Sequence, residues 1–195
     1  MEYRLNKQKL LETLAQWNGF LRRKVCLIAC GGTALTLLDI KSSTKDVDFM
    51  VPNSAEHKYL TKTLQDLGYL RGTGSGWYRP GELFVFDLFS GNNIHTTQLL
   101  DSPLLEENHM LLQEFSRLYV GILNYNDLIA SKLFRATPVD FEDCLALVRT
   151  RREEIDLERL THHYLEMASY DVSEKRLIVN LEDFLTRLRE EGLYG

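Results

Sequence analysis

The sequence predicts an α/β (α+β) protein in two parts. A mixed sheet flanked by helices occupies residues 1–122, and a helical part follows over residues 123–195. Three observations predict this. "VCLIAC" (25–30) is continuously apolar, as a strand buried on both faces must be. From Gly68 to residue 122, short β-rich runs alternate with Gly and Pro turns. From Asn124 onward, apolar residues recur at the three- and four-residue spacing of amphipathic helices.

Each element has its own signal. Leu10, Leu11, Leu14, Trp17 and Leu21 share a helical stripe, which predicts a helix over 6–22. "VCLIAC" ends at Gly31-Gly32, and "TALTLLD" then reads as a short helix. "DVDFMV" (46–51) alternates as a strand does, and Pro52 stops it. Ser54 caps a helix running through Leu67. "YLR", "GWYRP" and "ELFVFDLFS" are strands separated by the turns "GTGSG" (72–76) and Pro80-Gly81. Two further strands fall at 109–115 and 117–122, and helices at 126–135, 138–150, 156–168 and 173–191. Thr137-Pro138 is a helix start, with Thr as N-cap and Pro at the first helical position. Asp156 and Ser173 are similar caps.

Composition narrows the function. The formal net charge is −5, which argues against a strongly basic nucleic-acid binder but allows a local basic face. The three cysteines, Cys26, Cys30 and Cys144, have no framework spacing, which predicts a reduced, cytoplasmic protein. No signal peptide is recognisable, and no apolar run approaches the roughly 20 residues a membrane helix needs.

The chemistry concentrates in "GGTALTLLDIKSSTKDVDF" (31–49). Side chains alternate along a strand, so Asp46 and Asp48 project from one face. Two neighbouring carboxylates repel, and a divalent cation such as Mg²⁺ relieves the conflict. Asp87 lies in "LFVFDLFS", where an unpaired charge would cost several kcal/mol, so it needs a partner or an open sheet end. A metal shared with Asp46 and Asp48 would serve. The competing readings are a D-x-D pair placed by turn preference and a salt-bridged Asp87. Gly31-Gly32 lets a backbone approach a phosphate, and Thr33 adds a hydroxyl; the competing reading is a tight turn without a ligand. "GTGSG" lacks a following helix and reads as a hairpin loop.

These residues together resemble the DNA polymerase β-like nucleotidyltransferase superfamily. "GGTAL…TKDVDFMV" with "DLIASKLFRATPVDFEDCLALV" (128–148) is most similar to the AbiEii/MenT-like nucleotidyltransferases of toxin–antitoxin systems and their uncharacterised relatives. The resemblance covers roughly residues 25–150. It implies a nucleotidyltransferase fold and two-metal transfer of an NMP from an NTP to an acceptor hydroxyl, with Mg²⁺ or Mn²⁺ as cofactor. Gly31, Gly32 and Thr33 would cradle the triphosphate. Asp46 and Asp48 would hold both metals, and Asp87 would hold one and help activate the acceptor. Lys132 and Asp140 match the Lys and Asp that the family places near the triphosphate, with Asp143 as the alternative acid. Against this, Lys132 facing solvent and Asp140 favouring a helix start are sufficient local explanations. The chain departs from its relatives at Asp39, Lys41 and Val139, where they often carry Gly, Arg and a basic residue. Lys41 keeps the charge but loses the bidentate geometry of Arg.

Other features read as structural. His162-His163 reads as a polar pair facing solvent, and His57, His95 and His109 are scattered with no zinc pattern. "RTRRE" (149–153) with Lys175-Arg176 is either a basic face for RNA or a solvated helix end. The stripe Leu177, Ile178, Leu181, Phe184, Leu185 and Leu188 reads as core, with a homodimer contact as the alternative. The acceptor is left open among tRNA, a protein hydroxyl and a small molecule, and an antitoxin is the partner the resemblance suggests. The competing class is a catalytically silent nucleotide-binding or protein-interaction module of the same fold. A metal nuclease ranks last, because no E-x-K arrangement follows Asp87.

Overall fold

A computed structural model describes residues 4–194 of the chain. Two compact units result, one made of residues up to 96 together with 101–124, the other of 97–100 together with 125 onward. Residues 1–3 and 195, the outer ends of the two predicted parts, lie outside the described residues.

The first unit opens with α1 (Lys7–Phe20), whose N-cap Asn6 accepts a hydrogen bond from the Lys9 N–H. Leu10, Leu14 and Trp17 bury its inner face, as the stripe predicts. Next come β1 (Val25–Ala29), α2 (Gly31–Leu37), β2 (Val47–Val51) and α3 (Ser54–Asp66). The cap of α3 is Asn53 rather than Ser54; its side-chain oxygen takes the N–H groups of Ala55 and Glu56. The hairpin β3 (Leu70–Arg71) and β4 (Gly76–Tyr78) leads to β5 (Phe86–Ser90). The strand predicted from residue 82 therefore begins four residues later, at Phe86. Of two short strands, β6 (Asn93–Ile94) belongs to this unit and β7 (Thr97–Gln98) to the second; β8 (His109–Glu114) and β9 (Leu118–Leu123) complete the first.

Seven strands form one mixed sheet in the order β3-β4-β5-β2-β1-β9-β8. β1 runs parallel to β9, and β2 parallel to β5, while β1 and β2 are antiparallel. Leu27, Ile28, Ala29, Phe49, Met50, Val51 and Val120 are all fully buried. That burial explains why β1 reads as an unbroken apolar run: a central strand covered on both faces has no place for alternation. The Trp17 ring lies 4.4 Å, centroid to centroid, from Phe86 and ties α1 to β5.

The second unit holds α4 (Tyr125–Arg135), α5 (Pro138–Thr150), α6 (Leu157–Ser169) and α7 (Glu174–Glu190). Thr137 and Asp140 form a reciprocal capping box at the start of α5, with Pro138 at its first position. Asp156 caps α6, whereas Ser173 makes no side-chain cap at α7. Leu177, Leu181, Phe184, Leu185 and Leu188 are buried, so this stripe is core. Arg149 pairs with Glu191 and Arg151 with Glu154, so two arginines of "RTRRE" are matched within the unit. Among the described residues no helix is long and apolar enough to cross a membrane, and all three cysteines are free thiols.

Candidate active site

β1 is followed by Cys30, whose extended backbone leads into α2. Gly31 follows with φ +56°, in the left-handed region. A Cβ there would stand 2.4 Å from Oδ2 of Asp48, and one at Gly32 would stand 2.8 Å from Oγ1 of Thr44. Both glycines are therefore required by side chains pressed against the backbone. Thr33 is fully buried. Its hydroxyl accepts the Asp48 N–H at 2.9 Å and donates to the Asp46 carbonyl at 3.2 Å. The Thr44 hydroxyl donates to the same carbonyl at 2.8 Å. The Gly-Gly-Thr and Asp-Val-Asp motifs are thus bolted together. The Thr33 hydroxyl serves that junction, and the first N–H groups of α2 have no acceptor within the helix itself.

Asp48 is the second residue of β2 and Asp87 the second of β5, and the two are register partners in parallel strands. Partners in register project to the same face, so these carboxylates stand side by side. Asp48 is buried and Asp87 half-buried. The Ser75 hydroxyl donates to Oδ1 of Asp87 at 2.8 Å. On its other flank Asp87 faces Gly76 of β4, which has no side chain to obstruct it. Asp46 is exposed on the bend just before β2 and not in the strand, so alternation does not fix its direction. Among the described residues no group of three or more His, Cys, Asp or Glu gathers tightly enough to hold a metal ion. The structure brings two of the three predicted carboxylates together and does not draw all three into one cluster; repulsion among like charges favours that spread. The pair fits a hard cation nonetheless, because Mg²⁺ is commonly held by one or two carboxylates with substrate phosphates supplying further oxygens.

A family model described as "Nucleotidyltransferase of unknown function (DUF6036)" matches residues 8–190. The chain belongs to this nucleotidyltransferase family. No curated protein sequence matches it. Among solved structures it is similar to ANT(2″)-Ia, an aminoglycoside nucleotidyltransferase, in complex with adenylyl-2″-tobramycin. The TM-score is 0.52 and the identity 14%, over 83% of this chain and 94% of that one. At that identity the likeness is one of fold, and it agrees with the mixed sheet and flanking helices described above.

The other two predicted residues of this nucleotidyltransferase lie in the second unit. Lys132 is buried, which excludes the solvent-facing alternative. Its Nζ lies 2.7 Å from Oδ2 of Asp143 and 3.5 Å from Oδ1 of Asp140. Arg135 grips Asp140 with Nε at 2.8 Å and Nη2 at 2.5 Å, and the Thr137 hydroxyl adds a bond at 2.7 Å. Burial alone would raise the Asp140 pKa, but the bonds from Arg135 and Thr137 and the charge of Lys132 outweigh it. The carboxyl is held well below the usual carboxylate range. Asp140 is thus the helix-start residue its position suggests and also the centre of an ion-pair network.

Several residues escaped sequence reasoning. Ser75 sits in a loop legible only as a hairpin, and its contact with Asp87 depends on how β4 pairs with β5. Arg135 gave no signal, because its partner lies across the Thr137-Pro138 break. His163 does not simply face solvent: it bonds the buried Asp127 at 2.7 Å, and that bond pushes its pKa up against the effect of burial. Only the adjacent His162 is exposed. Asp39 has φ +62° and pairs with Lys7. That conformation favours Gly, and Asp is among the few other residues that tolerate it.

Proposed function

We propose that the chain moves an NMP from an NTP to an acceptor hydroxyl with Mg²⁺ or Mn²⁺, through Asp48, Asp87 and Asp46. One observation carries this reading: the in-register Asp48–Asp87 pair stands beside Gly31, where even a Cβ would collide with the Asp48 carboxylate. In this mechanism the N–H groups of Gly31, Gly32 and Thr33 receive the triphosphate, and Thr33 fixes the distance between that turn and Asp48. Ser75 holds Oδ1 of Asp87, leaving Oδ2 to take the proton of the acceptor hydroxyl. The acceptor oxygen bonds to the α-phosphorus, the bond to the bridging oxygen breaks, and pyrophosphate carries away the electron pair. Divalent ions at these carboxylates would neutralise charge on the attacking and leaving oxygens. Lys132 and Asp140 enter as triphosphate contacts through the AbiEii/MenT-like resemblance. The same resemblance supports a cytoplasmic, toxin-like role with an antitoxin partner.

The acceptor is a tRNA, a protein hydroxyl or a small molecule. The adenylylated tobramycin held by the solved relative supports the small-molecule class. A second reading, a silent nucleotide-binding or protein-interaction module, is favoured by one observation, the absence of a gathered three-carboxylate cluster among the described residues. The deciding experiment incubates the protein with each α-labelled NTP and Mg²⁺ or Mn²⁺, together with total RNA, total protein or a panel of small hydroxyl compounds. Asp48→Ala/Asp87→Ala is the control. Label that appears in one fraction and vanishes in the control supports transfer and names the acceptor class. Nucleotide binding without label in any fraction supports the silent module.

A further inference from the structure

One surface of the first unit is distinguished by its charge. A groove of 740 Å³ is lined by Phe20 at the end of α1, Arg22 and Arg23 in the turn before β1, and Lys58, Tyr59 and Lys62 on α3. Among the described residues on its wall, Asp66 is the sole carboxylate. Arg22, Arg23, Lys58 and Lys62 are exposed. Among the described residues none of the four has a carboxylate within 4.0 Å. Elsewhere Lys7, Lys24, Arg79, Arg149 and Arg151 each lie against one. In a chain of net charge −5, this local excess of unmatched cations is not a product of composition.

The groove is also preorganised. The Tyr59 hydroxyl accepts the Arg22 N–H at 2.7 Å, and the Arg23 guanidinium lies 5.5 Å from the centre of the Tyr59 ring. Arg117 donates to the Arg22 carbonyl at 2.8 Å and fixes the turn from behind. The location is distinct from the aspartates. Glu56, in the first turn of α3, accepts the Cys26 N–H at 2.7 Å, which places the start of α3 at the leading end of β1. Gly31 and Asp48 lie at the trailing end. Five strand residues separate the two places by roughly 16 Å.

We propose that this groove is a second binding site, for the phosphate backbone of a single-stranded nucleic acid. Arginine forks and lysine point charges are the side chains that hold phosphate. Lys58 and Lys62 are one helical turn apart, about 6 Å along the axis, so they can follow consecutive groups on an extended strand. Phe20 is 50% exposed at the rim and gives a base an apolar face to stack on. No Asn or Gln lines the wall, so the site reads charge and stacking and not base edges. The residues that build it are nearly 40 positions apart, which is why "FLRRK" alone did not reveal it. The site does not depend on the transfer reaction.

The test is fluorescence anisotropy of the full chain with a labelled, unstructured oligoribonucleotide and oligodeoxyribonucleotide over a salt series. Lys58→Ala/Lys62→Ala and Phe20→Ala alter exposed side chains, and circular dichroism checks that both variants are folded. Wild type should bind with affinity falling as salt rises. The double variant should lose about 1.4 from the slope of log K against log salt, about 0.7 for each lysine. Phe20→Ala should weaken binding about five-fold or more at unchanged slope. Asp48→Ala/Asp87→Ala should bind at least as tightly as wild type. No binding at low salt, or an unchanged slope in the lysine variant, overturns the proposal. So does equal displacement by a poly-glutamate peptide of matched charge, which would assign the groove to an acidic protein segment. Loss of binding in the aspartate variant would place the strand at the aspartates and also overturn it.

Discussion

Asp87 in the first unit and Asp140 in the second are both strand- or helix-anchored carboxylates, yet their surroundings are opposite. Asp140 is 1% exposed and answered by two cations, Arg135 and Lys132, with Thr137 completing its shell. Asp87 is half-buried beside a second carboxylate, and its partner is the neutral Ser75 hydroxyl. Among the described residues no cation of the chain lies within 4.0 Å of it. The first arrangement is electrically closed and reads as architecture. The second agrees with the divalent-ion role proposed for Asp87. The difference separates a carboxylate neutralised by cations of its own unit from one whose side-chain partner is a neutral hydroxyl.

The sharpest way to break this contrast is to remove Asp48 or Asp87. Asp48→Ala or Asp87→Ala should lower the rate of nucleotidyl transfer by about 10²–10³-fold or more, the scale of losing a major electrostatic group, with little change in the urea midpoint. A stability loss with retained transfer would reverse the assignment. The closed network should respond the other way. Lys132→Ala leaves Asp140 and Asp143 short of a buried cation and should cost about 3–5 kcal/mol in urea unfolding. Weaker NTP binding by the folded variant would show that Lys132 also serves the triphosphate, as the resemblance implies.

Acid sharpens the same contrast. The Asp140 pKa is lowered in the folded state, so its stabilisation is fully present above the ordinary pKa of about 3.9 and is lost as pH falls toward the folded value. Asp140→Asn should remove part of the acid-side decline in stability below about pH 4, read from melts across a pH series. Gly31→Ala combines a positive φ with a Cβ 2.4 Å from Asp48, and should cost about 1–3 kcal/mol while displacing that carboxylate. The smallest effect belongs to Ser75→Ala. Loss of one hydrogen bond to Asp87, about 1 kcal/mol, should slow transfer several-fold and alter its pH profile without moving the melting temperature.

How much of this was legible in the sequence depends on where each partner sits. β1 was readable because burial on both faces leaves an uninterrupted apolar run. α5 was readable because Thr137, Pro138 and Asp140 carry their start signal within four residues. The Asp48–Asp87 proximity was anticipated from two strand patterns, and the register supplied the geometry. Asp46 was misplaced because alternation was extended one residue past the true start of β2. Ser75, the Asp127–His163 pair and the cationic groove could not be read, because each depends on segments brought together by tertiary pairing. Arg135 is near Asp140 in sequence, but nothing local says that the chain turns its guanidinium back across the helix break.

The proposed role of the Asp48–Asp87 pair is to hold a divalent ion with a nucleotide. Calorimetry of NTP binding with and without Mg²⁺, for wild type and Asp48→Asn/Asp87→Asn, tests it most directly. The account predicts that Mg²⁺ strengthens NTP binding to wild type and that this dependence disappears in the double variant. Mg²⁺-independent binding to wild type, or a Mg²⁺ dependence that survives in the variant, would contradict it.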